Sequence, residues 1–105
     1  MIGEEILTEI KDRLVMGFHP DKIILFGSQA RKTANDKSDV DILVICPISD
    51  NRRAMMVAMD RALRGLKVSR DIVILTQEEF ERDRKIPGTI ARPAWLEGKI
   101  LYERN

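Results

Sequence analysis

Three short apolar runs set the architecture of this chain: Lys22-Ile23-Ile24-Leu25-Phe26, Val40 to Cys46, and Ile72-Val73-Ile74-Leu75. Each is rich in β-branched residues and too short for an ordinary helix. Gly27 closes the first and Pro47 the second, so all three predict buried strands. The stretches around them have helical spacing. Over residues 4–16, Ile6, Leu7, Ile10 and Leu14 share one face, with acids in the first turn and Gly17 at the stop. Ser49 or Asp50 is placed to cap a helix running to about Leu66, with Met55, Met59, Leu63 and Leu66 along one stripe.

Thr76-Gln77-Glu78-Glu79 has capping-box spacing and predicts a helix directly after the third strand. Past Pro87-Gly88 a helix containing Pro93 is expected, then Gly98 and a last strand over residues 99–102. Residues 28–32 suit a short helical turn. The order is helix, strand, short helix, strand, helix, strand, helix, helix, strand. It predicts an α/β (α+β) fold with a small mixed sheet flanked by helices, as one domain over residues 1–105.

Composition narrows the function classes. The 105 residues carry 18 Lys+Arg against 17 Asp+Glu, and a net charge of +1 gives no general case for binding nucleic acid or membrane. A single cysteine, Cys46, excludes an internal disulfide framework and a cysteine-based zinc site. The longest apolar run, Ala54 to Met59, falls far short of the roughly 20 residues of a membrane span. Glu4, Glu5 and Glu9 make the N-terminus unlike a signal or transit peptide, so a cytoplasmic protein is expected.

The chemistry concentrates at strand starts. Ser38-Asp39-Val40-Asp41 leads straight into Ile42-Leu43-Val44-Ile45. Residues i and i+2 of a strand face the same way, with Cα atoms roughly 7 Å apart, so the carboxylates of Asp39 and Asp41 can converge. Two carboxylates at the edge of a buried strand repel unless a cation compensates. Such hard oxygen donors suit Mg²⁺ or Mn²⁺, in a site completed by substrate phosphates and water. The alternative is a polar start to a strand and nothing more.

Asp71 stands at the head of the next run, two dozen residues on and across a helix, which fits a parallel crossover. That connection puts Asp39, Asp41 and Asp71 on one sheet edge, where three carboxylates can hold two metal ions for in-line phosphoryl or nucleotidyl displacement. A solvated Asp71 paired with Arg70 or another base is the alternative. Gly27 permits a tight turn and close approach of a ligand, and Ser28 opens a turn whose N–H groups suit phosphate oxygens. For Gly27-Ser28 to meet the aspartates, the first strand must run antiparallel to the second.

Together these residues resemble the nucleotidyltransferase superfamily that includes DNA polymerase beta. Gly27-Ser28, ten intervening residues and Asp39-Val40-Asp41 reproduce its Gly-Ser…Asp-x-Asp pattern. The local forms Gly-Ser-x-Ala-Arg and Ser-Asp-x-Asp-Ile-x-Val look most like the minimal nucleotidyltransferase (MNT) domains of bacteria and archaea, often encoded beside a HEPN-domain partner. The resemblance implies the polymerase beta palm-like fold. It implies that Asp39, Asp41 and Asp71 are catalytic metal ligands for Mg²⁺ or Mn²⁺, Asp71 acting toward the acceptor hydroxyl. It further implies that Gly27 and Ser28 hold the outer phosphates of ATP, with Arg31 a further phosphate contact or the partner of an acid. Lys32 departs from the glycine that many members carry there.

The function so implied is transfer of a nucleoside monophosphate, AMP from ATP, to an acceptor hydroxyl on a HEPN-type partner, as the antitoxin of a toxin–antitoxin pair. The rivals are a non-catalytic antitoxin acting by occlusion and a small-molecule adenylyltransferase. A homo-oligomer is compatible with either. Cys46 reads as a core residue and His19 as a loop residue without ligand-spaced partners. Six bases, Arg52, Arg53, Arg61, Arg64, Lys67 and Arg70, stand against one acid, Asp60, between Asn51 and Arg70. They form a solvated face or meet an acidic or RNA-bearing partner.

Overall fold

The structure is a computed structural model and describes residues 3–27, 40–49 and 51–104. In chain order the elements are α1 (Glu4–Phe18), β1 (Lys22–Phe26), β2 (Val40–Ile45), α2 (Arg52–Ala62), β3 (Arg70–Leu75), α3 (Gln77–Asp83), α4 (Ala91–Glu97) and β4 (Lys99–Glu103). The strands form one mixed sheet in the order β3-β2-β1-β4. β1 runs antiparallel to β2 and to β4, and β2 runs parallel to β3, as the sequence requires for a converging site.

Period-2 alternation divides the core in two. Ile23, Leu25, Ile42, Val44, Ile72 and Ile74 face α1 and α2, where Leu7, Ile10, Leu14, Met59 and Leu63 cover them. Ile24, Leu43 and Ile45 face α3 and α4 and pack against Phe80, Ala91 and Ala94. With both faces of β1 and β2 covered, uninterrupted apolar strands are what the fold needs. Gly98 lets α4 turn onto the sheet, because a Cβ there would overlap the Ala94 carbonyl oxygen and the Ile24 side chain.

Two helical expectations shift. The N-cap of α2 is Asn51, whose Oδ1 accepts from the Ala54 N–H at 2.7 Å, and not Ser49; Asp50 lies outside the described residues. The helix stops at Ala62, four residues before Leu66. Leu63 and Arg64 donate to the oxygens of Asp60 and Arg61, tightening the last turn, and Gly65 adopts φ +95. Arg13 fixes that end by donating to the carbonyls of Ala62 and Arg64 at 3.3 and 2.9 Å. Leu66 still packs on the core, from the turn.

The Thr76 capping box is present in both directions. Pro93 falls in the first turn of α4, where a missing N–H removes no intrahelical bond. His19 caps α1 with φ 49 and donates its N–H to the Val15 oxygen at 3.0 Å. Among the described residues no helix is long and apolar enough to cross a membrane.

Candidate active site

The site forms where β1 ends and β2 and β3 begin. Antiparallel pairing sets Phe26 opposite Asp41, and parallel pairing sets Asp41 in register with Asp71. Register partners on adjacent strands lie about 4.8 Å apart in Cα position and project to the same face. Asp41 and Asp71 share the parity of Leu43 and Val73, so both carboxylates stand on the α3–α4 face, at the rim of the sheet beyond the packed core. Asp41 is half-buried and Asp71 exposed. The sequence put these residues on one edge; the register makes them neighbours.

Gly27 abuts this pair. Its φ is +77, and a Cβ built on it would overlap Oδ2 of Asp41. A glycine suits the left-handed turn that ends β1, and any side chain there would displace the carboxylate beside it. Ser28, Arg31, Lys32 and Asp39 lie outside the described residues, as does the predicted turn over residues 28–32.

Arg70 does not pair with Asp71. It turns to the other side, donating from Nε to Oδ1 of Asp60 at 3.1 Å and from Nη2 to the Asp60 carbonyl at 3.0 Å. Among the described residues Asp71 makes no ion pair. Two carboxylates in register on adjacent strands, Asp71 open to solvent and Asp41 half-buried, are a donor set that fits a divalent cation of the Mg²⁺ class. Among the described residues there is no cluster of three or more such ligands.

A cleft of about 500 Å³ opens beside Asp71, between α2 and the outer edge of β3. Met56, Val57, Arg61 and Arg64 line one wall, Asp71 and Ile72 the other. Sequence reasoning gave these arginines a solvated helix face or an acidic or RNA-bearing partner, and did not connect them to the aspartates. The spacing 57, 61, 64 was legible as one helical stripe; what it faces depends on how α2 packs.

The profile of the nucleotidyltransferase domain family matches residues 4–101. The chain belongs to this family. Among solved structures, a Sulfolobus solfataricus protein classed with the nucleotidyltransferases superposes on this nucleotidyltransferase domain with a TM-score of 0.66 at 24% identity, over 95% of this chain and 79% of the other. A toxin–antitoxin structure containing AMP-PNP gives 0.65 at 22% identity, over 94% of this chain and 74% of the other. A mutant of the MntA-HpeT toxin–antitoxin pair gives 0.62 at 19% identity, again over 94% and 74%. At these identities the likeness establishes a shared fold. No curated protein matches the chain significantly.

Cys46 is buried at the end of β2, as expected, where its N–H donates to the Leu75 oxygen at 3.0 Å. Burial first, and the charge of Asp21 second, push its thiol pKa up. It takes no part in the site.

Proposed function

We propose that this nucleotidyltransferase domain, acting as a single minimal domain over residues 1–105, transfers AMP from ATP to an acceptor hydroxyl on a partner protein in a Mg²⁺-dependent reaction. The observation that carries the proposal is the register of Asp41 with Asp71 beside Gly27, in a chain whose family is defined by nucleotidyl transfer. The AMP-PNP in one structural relative favours an adenine nucleotide.

In this reading Asp39, Asp41 and Asp71 hold Mg²⁺ or Mn²⁺, and Gly27, Ser28 and Arg31 hold the outer phosphates. The metal, when bound, neutralises charge on the α-phosphate and the leaving pyrophosphate. The chain's own part is positioning. Gly27 keeps the backbone close enough for the triphosphate to approach Asp41. β2 and β3 hold two carboxylates at a fixed separation, and Asp71, on the solvent side, is placed to accept the proton of the acceptor hydroxyl as its oxygen attacks phosphorus.

The partner is proposed to be a HEPN-type toxin, with this chain as its cytoplasmic antitoxin. Toxin–antitoxin pairs among the structural relatives support it. Exposed Ile90, Trp95, Leu96 and Ile100 on and beside α4 also offer an apolar surface. That surface favours a second reading, in which the partner is neutralised by occlusion alone.

Incubation with ATP labelled at the α-phosphate and Mg²⁺, with the product of the adjacent gene as acceptor, separates the readings. Label on the partner, lost in Asp41→Asn while the fold is retained, supports transfer. Tight neutralisation without label supports occlusion, and label on a small molecule alone supports the small-substrate rival.

A further inference from the structure

We infer that the cleft between α2 and the free edge of β3 is the acceptor-docking surface, and that it takes an extended acidic protein segment. The inference rests on the transfer reading above and specifies where, and in what chemical form, the acceptor arrives.

The hydrogen bonds of β3 orient its edge. The carbonyls of Ser69 and Leu75 are taken by β2-side N–H groups, those of Val40 and Cys46, at 2.8 and 3.0 Å. Alternate peptide groups point to opposite sides of a strand, so those of Arg70, Ile72 and Ile74 point outward. At Ile74 that edge is already used, because Nη1 of Arg52 donates to its carbonyl at 3.1 Å. At Ile72, beside Asp71, the outward groups meet the cleft, and among the described residues no strand pairs there. An extended segment can add along this short stretch by backbone hydrogen bonding.

The opposite wall supplies selectivity. Met56 and Val57 are exposed on α2 at 38% and 44%, an apolar floor for a side chain. Arg61, in the last turn of α2, and Arg64, in the turn that follows, are exposed beside them, and among the described residues neither guanidinium makes an ion pair or hydrogen bond. Asp60 and Arg70 neutralise one another, so two positive charges dominate the rim away from Asp71. Acidic residues in the incoming segment complement them, while Asp71 at the inner end meets the hydroxyl.

Other occupants fit less well. A second copy paired about a two-fold axis would bring two Arg61/Arg64 rims together. Residues 28–39 of this chain carry Arg31, Lys32 and Lys37 against Asp36 and Asp39, no net acid to offer.

The test uses a fluorescein-labelled random copolymer of glutamate and tyrosine, followed by anisotropy with the whole protein. Binding is expected to weaken with salt and to fall at least tenfold in the Arg61→Glu/Arg64→Glu double variant. A charge-matched control on the α3–α4 side, Lys85→Glu/Arg92→Glu, should leave it unchanged, and Mg²⁺–ATP affinity should be the same in all three proteins. Equal binding by the wild type and the Arg61/Arg64 variant overturns the proposal. So does preferred binding of single-stranded poly(U) over the copolymer, or loss of ATP affinity in that variant, which would make the cleft a nucleotide pocket. Copolymer binding that follows the arginines with no transfer of α-phosphate label would strike the transfer reading and leave the docking surface standing.

Discussion

Gly27 shows how one residue can hold two requirements at once. Its φ of +77 excludes most side chains on backbone grounds, at a cost of about 1–2 kcal/mol for an L-residue. Its missing Cβ also leaves room for the Asp41 carboxylate. Gly27→Ala should therefore lower the melting temperature and also weaken Mg²⁺–ATP binding by roughly tenfold or more, about 1.4 kcal/mol or greater. Titration of the folded variant checks this; unchanged nucleotide affinity would detach Gly27 from the site. Cys46 makes the opposite case. Its thiol is buried and its pKa raised, so a thiol reagent at neutral pH should label it only as fast as the domain unfolds. Rapid labelling of the native protein would place it in an accessible environment.

At the scale of elements, the capping box of α3 ties the end of β3 to a helix that covers the α3–α4 face through Phe80. Thr76→Ala removes the hydroxyl that accepts from the Glu79 N–H, a loss of about 1 kcal/mol. For a domain of this size the melting temperature should fall by roughly 4–8 °C. Glu79 also pairs with Arg52 of α2 at 2.8 Å, and that hydrogen bond is the main reason its carboxyl pKa lies below the ordinary glutamate range. A depressed carboxylate stabilises the fold above its unfolded pKa and loses that contribution as pH falls through the folded value. Glu79→Gln keeps a capping side chain but drops the charge. It should be slightly less stable than wild type at pH 7, by no more than about 1 kcal/mol for so exposed a pair, and indistinguishable near pH 2–3. Parallel denaturant titrations at the two pH values measure the difference, and a gap that persists in acid would assign the loss to packing.

For the whole molecule, the sheet concentrates unlike tendencies in different places. Its interior is apolar on both faces of β1 and β2, while its rim carries two carboxylates in register on adjacent strands. Binding of a divalent cation there stabilises the native state alone, so Mg²⁺ or Mn²⁺ should raise the melting temperature, and more so with ATP. Asp41→Asn removes one of the two charges without removing core volume. It should stay folded in EDTA and gain little from metal and ATP. Scanning calorimetry of both proteins, with and without millimolar Mg²⁺, tests this. A variant that melts well below wild type in EDTA would make Asp41 a structural residue.

Much of this was legible before any tertiary structure. The strands at 22–26 and 40–45 were visible because buried central strands keep long apolar runs, the third only as its apolar part, 72–75, to which the structure adds Arg70 and Asp71, and the Thr76 cap because its hydrogen bonds are local. The parallel course of β2 and β3 followed from the length of their connection, and the antiparallel course of β1 against β2 from the condition that Gly27 meet the aspartates. Apolar spacing alone could not place the end of α2, since Met55, Met59, Leu63 and Leu66 continue one stripe past Gly65, whose φ of +95 marks the stop that Arg13, arriving from α1, braces. Nor could it say where Arg70 turns, or that Arg61 and Arg64 border the same cleft as Asp71. Spacing along the chain decides which residues share a face of an element. What that face meets is set by the packing of elements distant in sequence, and that belongs to the tertiary structure alone.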